Sequence, residues 1–368
     1  MRYYLIAGER SGDLHASNLM KGLLRKEPKA SFRYFGGDYM QAVGGELVVH
    51  YRDMAFMGFW EVLKNLKVIK KLLKQCKQDI DNFQPNAIIL VDYAGFNLKI
   101  AKYAKARGFK VFYYISPKVW AWNQKRALKI KNRVDFMLSI LPFEVDFYKK
   151  YDWQNVAYVG NPVVEVIARH RVNPDFLVNH ELSDRANLVA VLPGSRKQEL
   201  QHILPTLTAV IKRYPQYHFC IAVVKNLPIE IYKSVANLDN VTLIVNDTYN
   251  LLANAVAAIV TSGTATLETA LWDVPQIVVY RSSWFSYRVA KALVKVKFIS
   301  LVNLILDKEV VTELIQDECT VNNISNELNL LLKQGTNYTM LREKLGDKVA
   351  SDEAANQITT LCSSSNNN

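Results

Sequence analysis

Short apolar runs recur along this chain, and most end in a turn of glycine, proline or small polar residues. Tyr3–Ala7, Ala87–Val91, Phe109–Ile115, Leu188–Leu192, Phe219–Val224 and Val256–Val260 carry few polar residues on either face. A strand apolar on both faces is one covered by helices on both sides, so these runs predict buried strands of parallel sheets. Arg33–Gly36, Val134–Ile140, Val156–Val159, Val241–Val245 and Gln276–Tyr280 extend the series. Between them the spacing changes to helical. Val62, Leu66, Ile69, Leu73, Cys76 and Ile80 fall on one stripe, and Ala265–Trp272, Asn323–Leu332 and Leu341–Leu361 read as helices. Alternating strands and helices over 368 residues predict an α/β chain with two cores. Gly160-Asn161-Pro162, turn residues after a strand, mark the hinge between them.

The most informative stretch is Val256–Tyr280. Its strand ends in Thr261-Ser262-Gly263-Thr264, a helix follows from Ala265, and a second strand opens after Pro275. That is one right-handed parallel unit. Its tight turn leaves backbone N–H groups free at a helix N-terminus, where an anion is stabilised. Glu268, one turn in, suits ribose hydroxyls; a capped helix with an early acid explains the same residues without a ligand. A similar turn follows Leu192, in Pro193-Gly194-Ser195-Arg196-Lys197-Gln198-Glu199. Ser195 with Gln198 fits a capping box, which leaves Arg196 and Lys197 unexplained. Two cations at a positive helix end make a phosphate site. Asn303, polar inside Leu301–Leu304, must be hydrogen-bonded to backbone or to a ligand.

In the first half, Gly8-Glu9-Arg10-Ser11-Gly12-Asp13 follows a strand. It is not the dinucleotide fingerprint, because its glycines are four apart and it carries two acids. It suits a hydroxyl-rich ligand, or caps a helix through Ser11 or Asp13. Asp92 stands at the carboxyl end of Ala87–Val91, where ligands of open parallel sheets bind. It reads as a catalytic base or as a turn-capping Asp. Ser116–Trp122, with two Trp and a proline, reads as a packed corner. Arg281–Lys297 reads as a basic helix, packed or interfacial. Met54, Phe56, Met57, Phe59 and Trp60 surround Gly58, and Lys64, Lys67, Lys70, Lys71, Lys74 and Lys77 follow on one helical face. Lysines beside such a patch are what a peripheral protein presents to anionic lipid, and equally what a solvated helix face looks like. Asp79-Ile80-Asp81 reads as a solvated helix end, and the six His are dispersed, so no metal is expected.

The formal charge of +12 calls for an acidic partner: nucleotide, anionic lipid or nucleic acid. No nucleic-acid-binding motif accompanies it. Four scattered cysteines, Cys76, Cys220, Cys319 and Cys362, point to a reducing compartment. The N-terminal apolar run is too short for a signal peptide, and no run is long enough to span a bilayer. The expected location is cytoplasmic, with a frayed tail from Ser363.

Taken together, GERSGD at 8–13, MGFWEVL at 57–63, VDYAGFN at 91–97, SPKVWAW at 116–122, LPGSR at 192–196 and TSGTATLE at 261–268 resemble the lipid-A-disaccharide synthases. The resemblance implies a GT-B fold: two Rossmann-like domains whose parallel sheets face each other across a cleft. The domains would be 1–162, joined by a C-terminal helix 341–362, and 163–340. It implies an inverting glycosyltransferase that uses no metal or cofactor. The donor is UDP-2,3-diacylglucosamine and the acceptor 2,3-diacylglucosamine 1-phosphate, lipid X. Position by position, Asp92, Arg196 and Asn303 match the family's essential residues. Gly194, Ser195, Arg196, Ser262, Gly263, Thr264, Ala265 and Glu268 match its UDP site, and Glu9, Ser11, Gly12 and Asp13 its sugar-binding loop. Met54, Phe56, Met57, Phe59 and Trp60 would contact acyl chains at the anionic inner-membrane surface, on its cytoplasmic face. Ala94 and Val302 stand where prolines are usual, and Gly95 where many members carry a second acid. A homodimer is left open and nucleic acid is not expected. The alternative is another GT-B UDP-sugar enzyme, a 2-epimerase or a transferase with a different lipid acceptor.

Overall fold

The apolar runs form two parallel sheets. The computed structural model describes residues 1–54, 65–182, 187–224, 227–284, 287–288, 291, 294 and 296–364. The first sheet contains β1 (Arg2–Ala7), β2 (Ser31–Gly36), β3 (Glu46–His50), β4 (Ala87–Val91), β5 (Lys110–Tyr114), β6 (Phe136–Ser139) and β7 (Val156–Tyr158). Its order is β3-β2-β1-β4-β5-β6-β7, with every pairing parallel. The second contains β8 (Leu188–Leu192), β9 (His218–Val223), β10 (Val241–Val245), β11 (Ala257–Thr261), β12 (Gln276–Tyr280) and β13 (Glu313–Ile315). Its order is β10-β9-β8-β11-β12-β13, again all parallel. Both are Rossmann-like. The strand order reverses beside the first strand of each sheet, between β1 and β4 and between β8 and β11. Ligands of open parallel sheets bind at that switch point.

Contacts divide the chain into Met1–Glu165 with the segment from Asp347, and Val166–Gly346. The first division falls at Glu165/Val166 rather than at Gly160–Pro162. The helix Ala350–Ser364 packs into the first unit: its Ala354, Ala355 and Ile358 share a core with Leu5, Leu19 and Leu23. Ser363 and Ser364 are helical, and the rest of the expected frayed tail, Ser365–Asn368, lies outside the described residues. β3 and β13, both edge strands, are not predicted from sequence.

One local reading is corrected. Asp79 is not a solvated helix end but a buried residue inside the helix Leu66–Phe83. It accepts from Tyr4 Oη at 2.7 Å and Arg33 Nε at 2.9 Å, and pairs with the Arg33 guanidinium. Burial demands such a partner, here one in β2 that sequence spacing does not reveal. The same helix buries Leu72, Cys76, Asp79 and Ile80, while Leu66 and Val68 are 42% exposed, so its first two turns are open. Among the described residues no helix is long and apolar enough to cross a membrane.

Candidate functional site

At the switch point of the first sheet, the loops after β1 and β4 are locked together. Gly8 lies under the Tyr93 ring; a Cβ there would sit 2.2 Å from it, so no other residue fits. Tyr93 Oη donates to the Met54 carbonyl at 2.6 Å. Asn97 Nδ2 ties the two strand ends, donating to the Asp92 carbonyl at 2.8 Å and the Val91 carbonyl at 3.2 Å in β4 and to the Ile6 carbonyl at 3.4 Å in β1. Asp92 and Tyr93 both have positive φ, +44° and +45°, and Ile115, ending the neighbouring strand, has φ +66°. A β-branched residue in that region is a genuine outlier, and such conformations cluster at functional sites.

This frame leaves the Asp92 carboxyl half-buried at the sheet's carboxyl edge. Burial raises its pKa, and the negative charge of Glu9 raises it further. The Lys118 ammonium and the Tyr93 N–H pull the other way. Glu9, Asp92 and Lys118 therefore form one electrostatic group, contributed by the loops after β1, β4 and β5. Sequence reasoning missed Lys118: it lies in the quoted Ser116–Trp122 loop, but only the pairing of β4 with β5 brings it to Asp92.

The Gly8–Asp13 segment splits into two roles. The helix Arg10–Lys26 begins inside it, with Glu9 as its N-cap. Ser11 is exposed and donates to Glu9 Oε1 at 2.6 Å. Asp13 is fully buried and accepts from the backbone N–H groups of Gly37, Tyr39 and Met40, at 2.7, 2.9 and 3.2 Å. Its carboxylate thus takes up N–H groups at the start of the next helix, Asp38–Val43. Gly12 is buried with it, beside Ala7. For Asp13 and Gly12 the contacts seen are structural ones. Met54 is fully buried and so is not offered to a membrane surface. Phe56, Met57, Phe59 and Trp60 lie outside the described residues.

The Ser116–Trp122 loop is a packed corner only in part: Trp120 packs, whereas Trp122 is 47% exposed. Trp120 is buried and its Nε1 donates to Glu144 Oε1 at 2.9 Å. Ser139 Oγ also donates to this carboxylate, and Ser116 Oγ meets Tyr148 Oη at 2.8 Å. Glu144 is itself buried, which pushes its pKa up to about 7.

In the second unit the turns after β8 and β11 lie side by side. Gly194 has φ +109°, and a Cβ there would stand 2.7 Å from Glu199 Oε2 and 3.5 Å from Thr261 Cγ2. The helix Lys197–Ile211 is capped by Glu199, which accepts from Ser195 N at 3.2 Å and Arg196 N at 3.3 Å. The expected box of Ser195 with Gln198 is thus one residue out of register. Arg196 itself is 81% exposed and pairs with Glu199 at 3.1 Å. Gly263 and Thr264 are exposed at the start of the helix Thr264–Leu271. Thr261 Oγ1, between the two turns, is buried without a hydrogen-bond partner. Glu268 is half-buried and accepts from Tyr249 Oη at 2.8 Å. Burial raises its pKa and that hydrogen bond opposes the rise.

Asn303 is fully buried with both ends of its amide engaged. Its Nδ2 donates to the Val311 carbonyl and Glu313 Oε1, and its Oδ1 accepts from Val310 and Val311 N–H. Glu313 in turn accepts from Ile299 N and Ser300 N. The Ile299 carbonyl accepts from Ser262 Oγ at 2.8 Å, and Leu301 N donates to Thr266 Oγ1 at 3.2 Å. Through Glu313 and the Ile299 carbonyl, Asn303 is thereby linked to the Ser262–Gly263 turn. Thr266, within the quoted 261–268 stretch, and Glu313, absent from the sequence reading, complete the brace. Among the described residues no group of three or more His, Cys, Asp or Glu side chains is placed to hold a metal ion.

A family model for lipid-A-disaccharide synthetase matches residues 3–361. A lipid-A-disaccharide synthase from Geobacter metallireducens is 37% identical, over 96% of this chain and 95% of that protein. One from a Sulfurihydrogenibium species is 36% identical over 98% of both. Among solved structures, a UDP-GlcNAc 2-epimerase from Neisseria meningitidis bound to UDP-GlcNAc has a TM-score of 0.68 at 11% identity, covering 98% of this chain and 100% of the other. The glycotransferase of kitacinnamycin has a TM-score of 0.65 at 12% identity, covering 98% of each. At such identities the structural likeness shows the GT-B fold and nothing finer.

Proposed function

The chain belongs to the lipid-A-disaccharide synthetase family, and from that premise we propose the reaction and the residues that perform it. It is a hexosyltransferase of lipid A biosynthesis. The sugar 2,3-diacylglucosamine passes from UDP-2,3-diacylglucosamine to the 6-hydroxyl of 2,3-diacylglucosamine 1-phosphate. The products are UDP and the β-1′,6-linked disaccharide 1-phosphate, formed with inversion and without a metal. The epimerase reading rests on fold likeness alone and is not favoured by relatives of one name along the whole chain.

The observation that carries the mechanism is the Asp92 carboxyl: half-buried, at the switch point, on a braced loop, and raised in pKa. Asp92 accepts the proton of the acceptor's 6-hydroxyl as that oxygen attacks the anomeric carbon from the face opposite UDP. A positioned base supplies roughly 10²–10⁴-fold in rate. Glu9 and Ser11 hold sugar hydroxyls beside it. In the second unit, the exposed Gly263 and Thr264 amides, the helix dipole and Arg196 surround the UDP phosphates; fixed positive groups stabilise a leaving pyrophosphate as it departs. Ser195, Ser262 and Ala265 line that turn. Glu268 binds the ribose with the lone pairs that Tyr249 leaves free. Asp92→Asn is expected to keep UDP affinity and lose turnover by roughly 10²-fold or more. Near-normal turnover in that variant would remove Asp92 as the base.

The acylated substrates favour a peripheral site on the cytoplasmic face of an anionic membrane. Exposed Leu66 and Val68 beside exposed Lys67, Lys70, Lys71 and Lys74 support this. Co-sedimentation with anionic vesicles should then fall as salt rises; binding indifferent to both salt and acidic lipid would refute it.

A further inference from the structure

Three charged groups stand in strand order along the carboxyl edge of the first sheet: Glu9 after β1, Asp92 after β4 and Lys118 after β5. β4 and β5 pair through Val91 and Tyr114, and the Asp92 N–H donates to the Tyr114 carbonyl at 3.1 Å. Adjacent strands lie about 4.8 Å apart, so the loops that carry the two acids and the cation leave neighbouring strand ends. Lys118 is exposed and makes no ion pair among the described residues. Its backbone is nonetheless held: Pro117 is buried, the Val119 N–H donates to the Pro117 carbonyl at 2.6 Å, and Trp120 is anchored on Glu144 at 2.9 Å. An unpaired cation on a fixed loop beside the base is a preorganised contact for an anion.

We propose that Lys118 binds the anomeric phosphate of the acceptor and so delivers its 6-hydroxyl to Asp92. Glu9, at the opposite end of the row, repels that phosphate and accepts from sugar hydroxyls instead, which fixes the direction in which the sugar lies. The inference rests on the function proposed above and adds a specificity determinant to it. The donor pyrophosphate is the rival anion.

The test compares Lys118→Gln, Lys118→Arg and the unaltered protein on two acceptors, 2,3-diacylglucosamine 1-phosphate and the same sugar without phosphate. Both calorimetric binding and turnover are read. Lys118→Gln should weaken calorimetric binding of the phosphorylated acceptor roughly 10- to 100-fold and leave binding of the dephosphorylated one unchanged, with Lys118→Arg recovering most of the loss; turnover on both acceptors shifts together, because the charge beside Asp92 is lost. Equal losses of affinity for both acceptors, no loss of affinity for either, or weakened UDP binding would each overturn the assignment. If the unaltered protein binds the phosphorylated acceptor through Lys118 yet transfers nothing, the proposed reaction fails and the phosphate contact stands. If it transfers normally and Lys118→Gln still prefers the phosphorylated acceptor to the same degree, the contact fails and the reaction stands. If the unaltered protein binds neither acceptor, both fail.

Discussion

Replacing Glu144 by Gln isolates the electrostatic cost of anchoring the Trp120 corner. The carboxyl is 1% exposed and accepts from Trp120 Nε1 and Ser139 Oγ. An unfolded glutamate ionises near 4.5, whereas this one, penalised by burial, ionises near 7 in the folded chain. Below the lower value it is protonated in both states and costs nothing. Between the two values folding takes up a proton, so stability falls as pH rises; above about 7 the whole cost is present. At about 1.4 kcal/mol per pH unit, the gap corresponds to about 3 kcal/mol. Glutamine keeps the shape and the acceptor for Trp120 and cannot ionise. Urea unfolding of both proteins at about pH 5 and about pH 8.5 gives the comparison, because every other titrating group cancels in their difference. Part of the cost is already present at pH 5, so the variant should gain on the unaltered protein by about 2.5 kcal/mol across that range. A difference that stays flat with pH would show that the buried carboxyl carries no such cost and would refute the reasoning.

Three further outcomes follow from the sites. A base must be ionised, so kcat/KM should fall with acid through a pKa above that of an ordinary aspartate; Glu9→Gln should move that limb to lower pH, and an unmoved limb would remove Glu9 from the group around Asp92. Asn303→Leu strands the Val310 and Val311 N–H groups and should cost about 3 kcal/mol or more in unfolding while weakening UDP binding; intact UDP affinity would show that its brace does not reach the Ser262–Gly263 turn. Asp13→Ala removes the acceptor for three N–H groups and should destabilise by about 2 kcal/mol or more, with acceptor KM little changed among folded molecules. A selective rise in acceptor KM at unchanged stability would instead return Asp13 to the sugar site.

The central strands were legible because each is covered on both faces, which writes an unbroken apolar run into the chain. β3 and β13 were not: each lies at a sheet edge, and Glu313–Ile315 spans three residues. Acids separate less well. Glu9 and Asp13 sit in one loop with the same chemistry, yet one faces the sheet's open edge and the other takes up N–H groups where a helix begins at Asp38. Nothing local distinguishes them, because Asp13's partners arrive from Gly37, Tyr39 and Met40. Asp79 hides its Arg33 partner in the same way. Asp92 was readable from its place at a strand's end, while Lys118 was not, since its relation to Asp92 exists only once β4 and β5 lie side by side.

The helix Ala350–Ser364 has a consequence for how the molecule is made. It completes the interior of a unit whose other parts occupy the first 165 positions. A ribosome adding roughly 5–20 residues per second therefore exposes that opening section for many seconds before its closing piece emerges. Over the same interval the intervening Rossmann-like body has all its strands in hand. Synthesis thus reverses the familiar sequence of events, in which the amino-terminal part is finished first, and an early stop codon shortly before Ala350 would spoil the half of the enzyme translated earliest.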